Sequence, residues 1–97
     1  MTESIEKDVF TREVEIVNKK GLHARATAKF VQCASGFSAD ISVTRSGETV
    51  GGTSIMGILT LGAGIGSKIA LMAQGPDAEE AINALSFLVA NRFGEEE

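Results

Sequence analysis

The run Lys68 to Gln74, KIALMAQ, is apolar on both of its alternating sets, with Ile69, Leu71 and Ala73 on one and Ala70 and Met72 on the other. Such a run reads as an interior strand with a neighbour on either side. The rest of the chain then has to supply those neighbours and the helices that cover them. A chain of 97 residues has room for one compact domain, which at this size buries roughly 60 to 70% of its unfolded surface.

The remaining patterns fill that requirement. Val9 to Val17 alternates in its second half, Val14 and Ile16 against Glu13 and Glu15, and reads as a strand with one wet face. Asn18 to Gly21 is a turn. From Ala24, the apolar Ala26, Phe30 and Cys33 recur at helical spacing until Gly36, giving a first helix of about three turns. Ile41 and Val43 alternate with polar residues, Ser46-Gly47 has turn chemistry, and Thr49-Val50 returns as a short strand. Thr53-Ser54 offers an N-cap to a short helix through Leu61, which Gly62, Gly64 and Gly66 terminate. Gly75-Pro76-Asp77 opens a last helix with Pro near its first position and with Asp77, Glu79 and Glu80 in its first turn. Its apolar face is Ala78, Ala81, Ile82, Leu85, Leu88 and Val89, and Gly94 is its stop. The order βαββαβα predicts an α+β fold, a two-layer sandwich with helices on one side of a mostly antiparallel sheet. Residues 1 to 8 read as a mobile charged extension and Gly94 to Glu97 as a frayed acidic tail, neither needing a function.

Composition removes several function classes. No apolar run approaches the roughly 18 residues of a membrane span, and MTESIEKD lacks the basic-then-apolar order of a secretory signal. A soluble, cytoplasmic protein is expected, without membrane insertion. The lone Cys33 cannot form an intrachain disulfide, and with one histidine the usual zinc sets are missing, so neither metal nor cofactor is expected. A net charge of −4 argues against nucleic acid as a partner.

The distribution of charge is more informative than its sum. No Asp or Glu occurs between Glu15 and Asp40, while Lys19, Lys20, Arg25 and Lys29 fall in that gap together with His23, the only histidine. No Ser, Thr, Asp or Asn stands at Leu22, His23 or Ala24 to cap the first helix, so its leading amides are free to face an anion. Arg25 can fork onto phosphate oxygens, and an imidazole nitrogen is a nucleophile near neutral pH. The group reads as a phosphorylatable histidine, set against the plainer reading of a solvated surface residue. Gly62 to Lys68 fails the spacing of a phosphate-binding loop and leads into a strand. A metal-free hydrolase centre is disfavoured because one histidine without a plausible acid partner nearby makes a weak acid-base centre.

Gly21-Leu22-His23-Ala24-Arg25, followed by Ser54-Ile55-Met56-Gly57-Ile58-Leu59-Thr60-Leu61-Gly62, closely resembles the two signature regions of the HPr family, the histidine-containing phosphocarriers of the bacterial phosphotransferase system. The likeness spans residues 9 to 93, which would form the phosphocarrier domain. It implies an open-faced β-sandwich, a four-stranded antiparallel sheet with three helices on one face. It also implies that His23 accepts a phosphoryl group from enzyme I, ultimately from phosphoenolpyruvate, and donates it to enzyme II A components for sugar uptake or regulation, with Arg25 binding the group in transit. Such a chain is a stoichiometric carrier, expected to be a monomer, and not an enzyme. The resemblance further suggests Ser54 as the target of an HPr serine kinase/phosphorylase, beside its plainer role as helix cap. It places Ile55, Met56 and Leu59 in a docking patch, with Thr27 and Lys29 on its edge. Two alternatives share the fold: a regulatory binding module controlled through Ser54, and a carrier of the nitrogen-related branch. One departure stands out, because the family usually has Pro-Ala after the arginine and this chain has Ala26-Thr27. Alanine has good helix propensity, so the helix should still form.

Overall fold

The computed structural model describes residues 9 to 97, and the expectation for residues 1 to 8 lies outside that range. The elements are β1 (Val9–Glu15), α1 (Ala24–Ala34), β2 (Asp40–Arg45), β3 (Glu48–Gly51), α2 (Ile55–Thr60), β4 (Lys68–Gln74) and α3 (Ala78–Ala90). A 3-10 turn over Arg92–Gly94 follows. The strands form one antiparallel sheet in the order β1-β4-β2-β3. Phe10 and Ile41 both pair with Ala73, so β4 is the seam that joins the first strand to the hairpin. That hairpin turns at Ser46-Gly47, both with positive φ (53° and 82°), the geometry that matches the twist of the flanking strands.

The interior position of β4 is as expected, but its two apolar sets meet different surroundings. Ile69, Leu71 and Ala73 are fully buried beneath the helices, whereas Met72 on the other set is 40% exposed. The helices cover a single face, so Ala70 and Met72 lie on the open side. The core between the layers is built from Ile16, Phe30, Val43, Ile58, Ile82, Leu85, Val89 and Phe93.

The last helix differs from its sequence reading at both ends. Pro76 precedes the N-cap Asp77, and the Asp77 carboxylate does not cap its own helix. It accepts instead from the amides of Ser38 and Ala39, each at 2.8 Å, and so fixes the link from α1 into β2. At the other end α3 stops at Ala90, short of Gly94, because Arg92 and Phe93 take left-handed φ values of 58° and 54°. Left-handed backbone costs roughly 1–2 kcal/mol per non-glycine residue. Here it swings the Phe93 ring into full burial, worth roughly 1.5–3 kcal/mol, and Lys29 Nζ donates to the Phe93 carbonyl at 2.8 Å. The chain is thereby turned back toward the start of α1. Phe93→Ala should lower the unfolding free energy by about 3–5 kcal/mol, measured by urea denaturation; a loss below about 1 kcal/mol would show that the ring does not anchor this turn.

Candidate functional site

The start of α1 is positioned by a close backbone crossing. Gly21 has φ +67°, and a Cβ there would lie 2.6 Å from the Ala63 carbonyl oxygen and 2.7 Å from Gly64 Cα. Only glycine lets the two loops approach so closely. Leu22 N–H then donates to Ala63 O at 2.9 Å, so the residue before His23 is held by the loop that follows α2. His23 is the N-cap of α1 with extended backbone, and its ring makes no capping bond. The first intrahelical bond runs from Thr27 N–H to His23 O, at 2.8 Å. Among the described residues the amides of Ala24, Arg25 and Ala26 make no hydrogen bond, and the first turn holds no acid. Those donors and the positive end of the helix dipole converge beside the imidazole.

Two readings of this region need correction. Thr27 does not lie on a docking edge: it is fully buried, and its hydroxyl donates to Leu22 O at 3.2 Å. Helical spacing alone could not tell which flank of α1 faces the core at that position. The acidic tail is also not frayed. Glu95 lies against His23, its Oε2 accepting from Nε2, and Asn18 Nδ2 donates to its Oε1 at 3.0 Å. Both side chains are largely covered, His23 at 27% exposure and Glu95 at 17%. Glu97 adds a main-chain bond from Lys19 N–H, at 2.6 Å, and an exposed ion pair with Lys19 Nζ, at 3.7 Å. An acid partner for the imidazole therefore exists, 72 residues away in sequence.

The result is a cleft of about 310 Å³ lined by Lys20, Arg25, Glu95, Glu96 and Glu97. Arg25 is exposed and forms no ion pair within the described residues. The Nδ1 atom of His23 makes no hydrogen bond there either. Sequence reasoning does not reach Asn18 or Glu95. Asn18 reads there only as part of a turn, yet it is fully buried and donates to Gly21 O at 2.8 Å as well as to Glu95.

The other singled-out residues form a second group on and around α2. Ser54 is exposed and caps the helix, accepting from Gly57 N–H at 3.0 Å. Ile55 and Met56 are exposed, Leu59 is half-buried, and Ile58 alone on this helix is buried in the core. Lys29 is bound to the Phe93 carbonyl. Burial raises the pKa of the Cys33 thiol, which suits packing and not nucleophilic chemistry.

Comparison with known proteins decides the lineage. Residues 10–91 match the family model described as "PTS HPr component phosphorylation site". The chain belongs to the HPr family. It is 51% identical over 86 residues to the phosphocarrier protein HPr of Cupriavidus necator, covering 89% of this chain and 97% of that one. The crystal structure of HPr-C-His from Thermoanaerobacter tengcongensis superposes with a TM-score of 0.88 at 49% identity, over 91% of this chain and 99% of that one. A structure described as an HPr dimer from the same organism gives a TM-score of 0.72 at 51% identity, over 84% and 94% of the two chains. HPr proteins are phosphocarriers of the phosphotransferase system, and the open four-stranded sheet seen here is their fold.

The tail contact carries a pH dependence. Burial pushes the Glu95 carboxyl up, but hydrogen bonds from His23 and Asn18 and the charges of His23 and Lys20 outweigh that and hold it below the ordinary glutamate value. A carboxyl depressed in the folded state adds stability above its unfolded pKa and loses it as pH falls through the folded one. The tail should stay docked at neutral pH and release below the ordinary carboxylate range. The Glu95 carboxyl ¹³C shift and the Lys19 amide should report this together; titration of Glu95 at the value of a free glutamate peptide would contradict it.

Proposed function

We propose that this chain carries a phosphoryl group on His23, taken from the phosphohistidine of enzyme I and passed to a histidine of an enzyme II A component for sugar uptake or its regulation. The observation that carries the reading is the placement of a partly exposed imidazole, with a free Nδ1, at the uncapped and acid-free start of α1. The amides of the first turn and the Arg25 guanidinium are the donors that would hold the three phosphoryl oxygens. Neither partner nor phosphate has to displace a side-chain cap. Every group involved comes from one copy of the chain, so a monomer suffices for transfer.

Docking is assigned to Ile55, Met56 and Leu59. Two of these are exposed on α2, and a small apolar surface suits short-lived complexes, since a small buried area keeps release fast. Ser54 is read as a regulatory phosphorylation site for an HPr serine kinase/phosphorylase. Its hydroxyl is accessible, and a phosphate there would place nearly two negative charges beside the docking residues.

Incubation with enzyme I and phosphoenolpyruvate should give one acid-labile phosphate, absent in His23→Ala. Absence of that phosphate in the unaltered protein would refute the carrier reading and favour a purely regulatory binding module. Arg25→Ala should slow single-turnover transfer by about tenfold or more, as loss of a charge-assisted donor does. Ala26→Pro tests the departure at this position. The Ala26 amide makes no hydrogen bond in the fold, so proline removes no structural donor. The variant should fold and change the transfer rate by less than about tenfold; a hundredfold change would show that the Ala26 amide or the flexibility of that turn contributes directly.

A further inference from the structure

We propose that Glu95 is a positioning residue for phosphoryl transfer, its carboxylate taking the Nε2–H of His23 and so committing Nδ1 to accept the phosphoryl group. This rests on the carrier reading above. The geometry is a chain of three groups. Asn18 Nδ2 donates to Glu95 Oε1 at 3.0 Å, and Glu95 Oε2 accepts from His23 Nε2. Both carboxylate oxygens are thus assigned, and the carboxylate cannot rotate away from the ring without losing a partner.

Asn18 is itself locked. Its Nδ2 also donates to Gly21 O at 2.8 Å, while its buried Oδ1 has no partner. Reversing the amide would set Oδ1 against two acceptors, the Gly21 carbonyl and the Glu95 carboxylate, so the strained arrangement is the better of the two. A buried acceptor left unpaired costs about 1–3 kcal/mol, and here the cost comes with a fixed orientation for Glu95. The Lys19 contacts to Glu97 and the buried Phe93 hold the tail on either side of that point.

The consequence for chemistry follows from the tautomer. A neutral imidazole with its proton on Nε2 carries its lone pair on Nδ1, on the side away from Glu95. As the Nδ1 lone pair forms a bond to phosphorus, the donor's P–N bond breaks and that electron pair stays on the donor ring. The accepting ring then bears a positive charge shared with Nε2–H, which faces the Glu95 carboxylate. When the phosphoryl group leaves, the pair returns to Nδ1 and the ring is neutral again. Glu95 therefore acts on the ring as the buried carboxylate of a hydrolase triad acts on its imidazole, by fixing tautomer and balancing charge. It touches neither the phosphorus nor its oxygens.

The test begins with the unphosphorylated protein, where the readout does not depend on any phosphate. Ring ¹⁵N shifts of neutral His23 should show a protonated Nε2 and an unprotonated Nδ1. Glu95→Ala should give a mixture of the two tautomers, while Glu95→Gln, which keeps an acceptor but not the charge, should retain most of the Nε2–H form. In single-turnover transfer from the phosphorylated donor, Glu95→Ala should fall by at least about tenfold at saturating donor, with the half-saturating donor concentration unchanged. Glu95→Gln should fall as well despite its retained tautomer, because the ring charge is then unbalanced. Unchanged tautomers in Glu95→Ala, or transfer within about twofold of the unaltered protein, would overturn the proposal. If the unaltered protein takes up no phosphate while the tautomer bias is present, it is the carrier reading that fails, and the role in transfer falls with it.

Discussion

A helix that begins without a cap leaves backbone donors that something has to answer, and the three helices of this fold answer in three ways. In α2 the Ser54 hydroxyl accepts from Gly57 N–H. In α3 the Asp77 carboxylate is engaged elsewhere, but Glu79 and Glu80 stand in the first turn and complement the dipole. In α1 there is neither cap nor acid. That terminus alone among them is left ready for an anion from outside, and the single histidine of the chain is placed at it. The site is a consequence of what the first turn lacks as much as of what it contains.

The end of the chain changes the electrostatics of that terminus. Taken along the sequence, Lys19, Lys20, Arg25 and Lys29 form an acid-free island. In space, Lys19 meets Glu97, Lys29 is spent on the Phe93 carbonyl, and Lys20 and Arg25 share a cleft with three glutamates. The Glu95 carboxylate meets the ring at Nε2 and leaves Nδ1 without a partner among the described residues. A phosphoryl group carrying close to two negative charges would be opposed by Glu96 and Glu97 through solvent, where such interactions are screened, and attracted by donors in direct contact.

Local features were legible in the sequence, and long-range ones were not. His23, Arg25 and the missing cap lie within a few residues of each other, as do the Ser54 cap and the Ser46-Gly47 turn, and rules of local backbone geometry reach that far. The element order followed because each hydrophobic pattern is itself local. The docking of Glu95 depends on Arg92 and Phe93 taking left-handed backbone, which turn rules reserve for glycine and asparagine; only the burial of the Phe93 ring makes it favourable. The burial of Thr27 is hidden for a related reason. Thr27 stands next to Ala26 on the covered side of α1, and which flank of a helix the core covers is settled by tertiary packing. For β4, apolarity on both sets located the strand within the sheet but could not show that only one face would be covered.

The exposed apolar residues of α2 gain meaning from how that helix is held. Six residues make under two turns, too short to be stable alone, and an unsupported helix of that length would fray and fold Met56 inward. Here the first turn is tied by Ser54, the last carbonyls by Arg45, whose Nη1 donates to Leu61 O at 2.9 Å, and the middle by Ile58, fully buried in the core. With both ends and the centre fixed, Met56 at 72% exposure and Ile55 at 44% stay outward as part of a defined surface. The same ties make Ser54 a sensitive position under the proposed regulatory reading, in which the oxygen that caps the helix is also the atom modified. A phosphate on that oxygen could still accept from the first-turn amides, so the helix would keep its start, while the charge beside Ile55 and Met56 would change the surface a partner meets. On the proposed reading, fold and docking would thus be separable at this residue, as regulation without unfolding requires.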